Sequence, residues 1–477
     1  MSRIGLWTTE AMASAMGAAR SGRLPDGVPG ISIDTRTIGK GEAFFAIKGD
    51  VHDGHAFVGK ALERGAGLAV VAESHRGEVP AGAPLLIVKD VLEGLSDLAR
   101  AARARSRAKV IAVTGSVGKT STKEALLRAL SADGETHAST ASFNNHWGVP
   151  LSLARLPEHA RFAVFEIGMN HAGEITPLTK LVRPHIAIVT TVEPVHLEYL
   201  GSIEAIADAK AEIFLGLEPG GAAVLNRDNP QFARLASAAR QANVARVVSF
   251  GEDGKADARL LRVALQPESS TAEADILGTR VTYKVGAPGR HLVMNSLAVL
   301  AAASLAGADL ALAALALADF KAAAGRGTRI ALDVPGGKAL LIDESYNANP
   351  TSMRAALALL GQAPVGPRGR RIAVLGDMLE LGAAGEELHR GLAAAVGENG
   401  VDLVYCAGPL MEALWRALPS ERRGGYAQTA AALEPEVVAA VRPGDALMVK
   451  GSAGSRMAPI VKSLAARYRN DAAAEAR

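Results

Sequence analysis

The apolar run Val110-Ile111-Ala112-Val113 passes directly into Thr114-Gly115-Ser116-Val117-Gly118-Lys119-Thr120-Ser121. The run reads as a strand buried on both faces. The residues from Lys119 to about Leu130 read as a helix. Strand, glycine turn and helix N-terminus in that order aim several backbone N–H groups and the positive end of a helix dipole at one point. That arrangement suits a phosphate. Gly115, Ser116, Val117, Gly118, Lys119, Thr120 and Ser121 form the loop; Lys119 can reach the outer phosphates of an NTP, and the Thr120 hydroxyl can ligate Mg²⁺. The spacing is GxxGKT, shorter than the common GxxxxGK[ST]. A plain glycine-rich turn is therefore the competing reading.

The length of 477 residues predicts about three domains. Residues 1–107 form a first unit, with short strands at Gly30 to Asp34 and Phe44 to Ile47 and buried runs at Leu68 to Val71 and Leu85 to Val88. Residues 108–325 form a central unit, with further buried strands at Phe162 to Glu166, Ile186 to Thr190 and Ala222 to Leu225. From Arg259 to Val285 polar and apolar residues alternate, which predicts added antiparallel strands. Residues 326–477 repeat the strand and helix alternation, with strands at Ala339 to Asp343, Arg371 to Gly376, Val401 to Cys406 and Ala446 to Lys450. Such alternation predicts an α/β protein with a parallel sheet covered on both faces in the central unit.

Composition narrows the class. Hydrophobic residues make up 49% of the chain and charged ones 21%, as in a folded soluble protein. The net charge of +3 and the absence of like-charge blocks predict no nucleic-acid partner. The densest basic run, Arg100, Arg103, Arg105, Arg107 and Lys109, reads as a solvated helix end and linker. Cys406 stands alone, which rules out an internal disulfide and fits a reducing compartment. Met1 to Arg20 has no signal-peptide run, and Ser296 to Phe320 reads as a buried helical pair, not a membrane span. A cytoplasmic monomer is expected. The polar stretch Asp471 to Arg477 is expected to fray.

Two residues stand on the edge where open α/β sheets bind ligands: Glu166 at the carboxyl end of one predicted strand and His196 beyond the end of another. Glu166 reads either as a metal ligand or as a charge at a helix start. His196 reads either as a ligand or as a structural histidine. With Thr120 they offer carboxylate, imidazole and hydroxyl for a Mg²⁺ shell. Lys210, in Ala209-Lys210-Ala211-Glu212, reads on composition as a solvated helix charge.

The glycine loop, Glu166-Ile167-Gly168-Met169-Asn170, His196 and Ala209-Lys210, in that order and spacing, resemble the Mur ligase family. The resemblance implies three domains: a UDP-sugar-binding α/β unit at 1–107, an ATP-binding P-loop unit at 108–325, and a Rossmann-like unit at 326–477 that takes the incoming amine and closes on ATP. Ser32-Ile33-Asp34-Thr35-Arg36 and Phe44 to Gly49 are similar to the family's UDP-sugar pattern. This implies Ser32, Thr35, Arg36 and Lys48 as substrate contacts. Asn144 and Asn145 lie in a segment similar to the family's Asn-Asn element, although Ala141-Ser142-Phe143 replaces its usual lead. Asp343 to Met353, Leu375 to Gly382 and Val449 to Ser452 are similar to members that join D-alanyl-D-alanine to UDP-N-acetylmuramoyl-tripeptide. These segments imply Asn347, Asn349 and Lys450 as further substrate contacts. For ATP the resemblance adds Asn295, Arg326, Asp343 and Tyr346; read from the residues alone, Asp343 is equally a helix cap.

The resemblance further implies a catalytic set of Lys119, Glu166, His196 and Lys210, with Lys210 carbamylated and two Mg²⁺ ions held by Thr120, Glu166, His196 and Lys210. The implied reaction makes an acyl phosphate from a carboxylate and ATP, then an amide. Gly325 and Gly327 are hinge candidates beside Arg326. Two alternatives stand beside this one: another amide ligase on the same scaffold, such as an amino-acid-adding or folylpolyglutamate-type enzyme, and a nucleotide-switched NTPase.

Overall fold

A computed structural model describes residues 5–49, 52–140 and 142–468. The stretch Asp471 to Arg477, expected to fray, lies outside these residues. The described residues form four sheets: a two-stranded pair of Trp7–Thr8 with Gly27–Val28, and three larger ones that organise the chain. The first has five strands in the spatial order Ala19–Ser21, Leu85–Val88, Leu68–Ala72, Ala43–Phe45 and Ile31–Ser32. Four run parallel and the edge strand Ala19–Ser21 runs antiparallel.

The second sheet has nine strands. At its centre Lys109–Thr114 pairs in parallel with Phe162–Glu166 on one side and Ile186–Val189 on the other. All three are apolar and buried almost end to end, as strands covered on both faces must be. Ala222–Asn226 and Arg246–Gly251 continue the parallel half. Ala258–Leu265, Ser270–Ile276 and Thr279–Val285 then add an antiparallel meander at the far edge. The alternation from Arg259 to Val285 thus belongs to an extension of the central sheet. Strand Arg246–Gly251 went unread in the sequence, because Arg246 and Ser249 interrupt its apolar run. The long helix Arg290–Leu305 buries Leu297 to Ala303 against this sheet, and Leu310–Ala316 follows it. No helix among the described residues is long and apolar enough to cross a membrane.

The third sheet has six strands, Thr328–Val334, Gly337–Glu344, Ala446–Lys450, Arg371–Gly376, Leu403–Ala407 and Arg423–Ala427 in spatial order. Only the first pair is antiparallel.

The basic run is a solvated helix end only in part: Arg100, Arg107 and Lys109 are exposed, whereas Arg103 is buried and Arg105 half-buried. Helix Val91–Arg105 packs between the first and second sheets, and two of its arginines are fasteners. Arg103 is buried; its Nε donates to the Val182 carbonyl at 2.8 Å and its Nη2 to the Arg183 carbonyl at 2.8 Å. These carbonyls close helix Ile175–Val182, where no intrahelical donor remains. Arg105 lies 3.5 Å over the Trp7 ring and donates to the Leu6 carbonyl. A guanidinium fork can meet two carbonyls at once, which the count of charges alone does not reveal. Arg103→Ala should therefore cost about 1–3 kcal/mol, the penalty of a buried acceptor left without a donor. A fall in the urea midpoint would show it, and Arg103→Lys should recover only part, since an ammonium lacks the fork.

Candidate active site

The register of the central strands sets the site. Glu166 pairs opposite Val113, and Val189 pairs opposite Thr114. The carboxyl ends of three neighbouring strands therefore finish level, with the chain leaving the middle one on a glycine turn. Gly115 has φ +147°, and a Cβ there would lie 1.9 Å from the Thr190 hydroxyl. Gly118 has φ +83° and faces Asn295, whose Nδ2 would meet a Cβ at 2.6 Å. Only glycine satisfies both the backbone and the space at these two positions. Helix Lys119–Ser131 starts at once, with Gly118 as its cap and no side chain bonded across its first turn. The free N–H groups of that turn face the loop.

Four polar side chains converge here. Thr120 and Glu166 are buried, and the Thr120 hydroxyl donates to Glu166 Oε2 at 2.9 Å. Asn144 Nδ2 donates to the other oxygen, Oε1, at 2.7 Å. Lys119 Nζ donates to the Gly115 carbonyl at 2.7 Å. Lys119 is half-buried, yet desolvation holds its ammonium below the usual lysine range; Glu166 opposes that effect and Arg326 adds to it. Lys210, on helix Ile203–Ala211, is only 2% exposed. It is not the solvated helix charge that composition suggested. Burial, then the nearby Lys119, lowers its pKa well below the ordinary value.

His196 follows strand Ile186–Val189 in the loop Thr190 to His196 and has left-handed backbone, φ +55°. Its Nδ1 lies 2.5 Å from Glu380 Oε2 of the third sheet's unit. The same bond holds the Glu380 carboxyl below its usual range. That loop is tied to the phosphate loop as well: Ser116 Oγ donates to the Glu193 carbonyl and accepts from the Glu193 N–H, at 3.1 and 2.9 Å. Across the gap, Thr351 Oγ1 donates to Glu193 Oε2 at 2.7 Å. Arg326 lies 4.0 Å over the Tyr346 ring, with Nη2 3.5 Å from Ser142 Oγ. Ser142 in turn meets the Thr120 hydroxyl at 3.3 Å.

Other expected residues have mixed placements. The Asp343 carboxylate takes the N–H and hydroxyl of Ser345, so it closes a turn after its strand. Asn349 caps helix Pro350–Gly361 in a reciprocal pair with Ser352, which gives it a structural task of its own. Asn145 Oδ1 likewise caps Gly148. Lys450 is buried between Glu344 Oε2 at 3.2 Å and the Asn347 carbonyl at 2.9 Å. Ser32 ends strand Ile31–Ser32 of the first sheet, Thr35 and Arg36 stand in the turn after it, and Lys48 bridges to Asp53; Arg36 is exposed and paired with Asp34 at 2.7 Å. A cleft of 1280 Å³ opens between helices Val91–Arg105 and Ile175–Val182, lined by Asn144, Asn145, His146, Asn170, Arg100 and Lys180 among others. Asn144 thus touches both the cleft and Glu166. Thr351 and Glu380 fall inside the segments Asp343 to Met353 and Leu375 to Gly382, and Ser142 stands beside Asn144, yet nothing along the chain marks them or Glu193 as contacts across the site.

Three family models match the chain: "Mur ligase family, catalytic domain" over residues 28–103, "Mur ligase middle domain" over 113–303, and "Mur ligase, glutamate ligase domain" over 325–453. The UDP-N-acetylmuramoyl-tripeptide--D-alanyl-D-alanine ligase of Rickettsia prowazekii is 31% identical, with 96% of this chain and 99% of that one covered. This chain belongs to the Mur ligase family. Among solved structures, MurF from Acinetobacter baumannii superposes with a TM-score of 0.80 at 30% identity, covering 96% of this chain and 98% of that one. MurF ligase from Thermotoga maritima, in complex with ADP, gives 0.73 at 26% identity, covering 92% and 98%. The three-domain Mur ligase fold therefore accounts for the three large sheets.

In this Mur ligase the loop geometry leaves no room for a methyl at Gly115. Gly115→Ala should displace the loop by forcing Thr190 aside. In hydrogen-exchange measurements ADP should then no longer protect the amides from Gly115 to Thr120, while it does so in the unaltered chain.

Proposed function

We propose that this chain is an ATP-dependent ligase that joins D-alanyl-D-alanine to UDP-N-acetylmuramoyl-tripeptide, giving the pentapeptide precursor of peptidoglycan, ADP and phosphate. The observation that carries the chemistry is the buried Thr120–Glu166 bond at the head of the phosphate loop. The substrates follow from the named relative, which is similar over nearly its whole length. In this reading residues 1–107 hold the UDP-sugar, 108–325 hold ATP, and 326–477 bring the dipeptide and close the site. The enzyme works as a cytoplasmic monomer.

A carboxylate does not condense with an amine in water; it needs a leaving group. In the first step a carboxylate oxygen of the tripeptide attacks the ATP γ-phosphorus, and the bond to the β-phosphate oxygen breaks. The products are an acyl phosphate and ADP. In the second step the neutral dipeptide amine attacks the acyl carbon, phosphate leaves with the C–O bonding pair, and the amine gives up a proton. The first step suffers from charge, because it brings two anions together. The Lys119 ammonium and the N–H groups from Gly115 to Ser121 offset that repulsion around the phosphates. Asn144 orients Glu166, and the cleft it borders, with Arg100 and Lys180 on its wall, suits an anionic substrate entering toward that point. Arg326, with Asn295, Asp343 and Tyr346, completes the nucleotide site, while Asn145, Asn347, Asn349 and Lys450 border the substrates. Closure of the third unit keeps water from the acyl phosphate.

The donors fit magnesium. Thr120 and Glu166 are hard oxygen ligands, already within hydrogen-bond distance of one another beside the phosphate loop. Two ions would be held by Thr120, Glu166, His196 and a carbamylated Lys210, and bound metal supplies further neutralisation of phosphate charge. Carbamylation requires an unprotonated amine: the nitrogen lone pair bonds to the carbon of CO₂, and one proton is released. Burial of Lys210 favours the unprotonated form.

Lys119→Ala should lower dipeptide-dependent ADP release by about 10²–10³-fold, the loss typical of removing one charge-stabilising donor. A variant with wild-type turnover would remove the phosphate-loop role. Lys210→Ala should be equally impaired and should regain activity with added short carboxylic acids; unimpaired turnover would reject the carbamate.

A further inference from the structure

We propose that Glu380, a residue of the third sheet's unit, is a positioning residue that fixes which nitrogen of His196 is free to ligate, so that docking of that unit completes the central site. The inference rests on the ligase reading of His196.

A neutral imidazole has one N–H and one lone pair, and a carboxylate can only accept. With Glu380 Oε2 2.5 Å from Nδ1, the ring proton belongs on Nδ1 and the lone pair is left on Nε2. Among the described residues none hydrogen-bonds Nε2. A carboxylate behind a ligating imidazole both orients the ring and raises its basicity. Here, unusually, the carboxylate comes from a different unit of the chain.

Both partners are held in place by their backbone. His196 has φ +55° and Glu380 φ +64°, a region that non-glycine residues adopt only where the surroundings impose it. The Glu198 N–H donates to the Glu380 carbonyl at 3.3 Å, and a Cβ on Gly382 would lie 3.5 Å from the Glu198 Cα. The loop from Thr190 to His196 is gripped from both sides: Ser116 of the phosphate loop holds Glu193, and Thr351 of the third unit holds the same residue. With the third unit undocked, the imidazole loses its acceptor and its tautomer is free to exchange. Docking thereby assembles a ligand as well as covering the site.

The test is ¹⁵N-imidazole NMR of the full-length, metal-free chain, with the His196 signal assigned by its loss in His196→Asn, since asparagine tolerates left-handed backbone. The Nδ1–H form is expected in the unaltered chain, a mixture of tautomers in Glu380→Ala, and the Nδ1–H form again in Glu380→Gln, whose amide oxygen still accepts. In turnover, Glu380→Ala should lower kcat about 10- to 100-fold. It should also raise the Mg²⁺ concentration for half-maximal rate while leaving KM for ATP near wild type, and Glu380→Gln should recover most of the loss. Thr351→Val removes a contact between the same units and should leave the tautomer unchanged. An Nε2–H ring in the unaltered chain overturns the proposal, whether or not the variants fold. So does a Glu380→Ala enzyme with normal kcat and Mg²⁺ dependence, or a Glu380→Gln as poor as the alanine. If His196→Asn itself is fully active, the ligase site is misread; if it is impaired while Glu380→Ala is normal, only this inference fails.

Discussion

Parallel pairing on both sides of strand Lys109–Thr114 is the constraint from which the site follows. It brings Glu166 level with Val113 and Val189 level with Thr114. Side chains alternate along a strand, so a slip of one residue would turn Glu166 to the opposite face and send an apolar neighbour toward the phosphate loop. Register is strongly specified here because both faces are buried: Val110 to Val113 and Phe162 to Phe165 are all essentially inaccessible. The core thus determines where the chemistry stands, without any residue of the core taking part.

Around that frame, charge is managed by burial. Glu166, Thr120 and Lys210 are buried beside the phosphate loop, where an unpaired charge is expensive. Glu166 is satisfied from both sides by Thr120 and Asn144. Lys210 has no comparable partner among the described residues, and burial, then the nearby Lys119, disfavours its protonated form. The third unit contributes Arg326, with Nη2 3.5 Å from Ser142 Oγ, and the Glu380 carboxylate beside His196 Nδ1. Gly325 and Gly327, at φ +73° and +103°, let the chain turn sharply beside that arginine; a Cβ at Gly325 would lie 3.0 Å from Tyr346.

Much of this was legible along the chain. Short-range physics writes itself into local sequence: an apolar run, two glycines, a lysine and a threonine specify a strand, a left-handed turn and a helix start. Alternation between Arg259 and Val285 announced the antiparallel meander, and the central strands Phe162–Glu166 and Ile186–Val189 matched their apolar runs. Arg103 and Arg105 were misread, because a basic residue on a helix end is ordinarily solvated. Their carbonyl and ring partners lie up to 99 positions away, at Leu6 and Trp7, or beyond the next domain boundary at Val182.

By itself the sequence determined the strand, glycine turn and helix start from Lys109 to Ser131, the α/β class, the three-unit organisation and the likeness to Mur ligases, since each rests on contacts between near neighbours or on a motif carried by a continuous segment. Only the tertiary structure decided that Lys210 is buried, that Asn144 braces Glu166, and that Glu380 reaches His196 across 184 positions. Burial and long-range pairing depend on how whole sheets dock, and no local pattern of residues encodes the partner at the far side of such a contact.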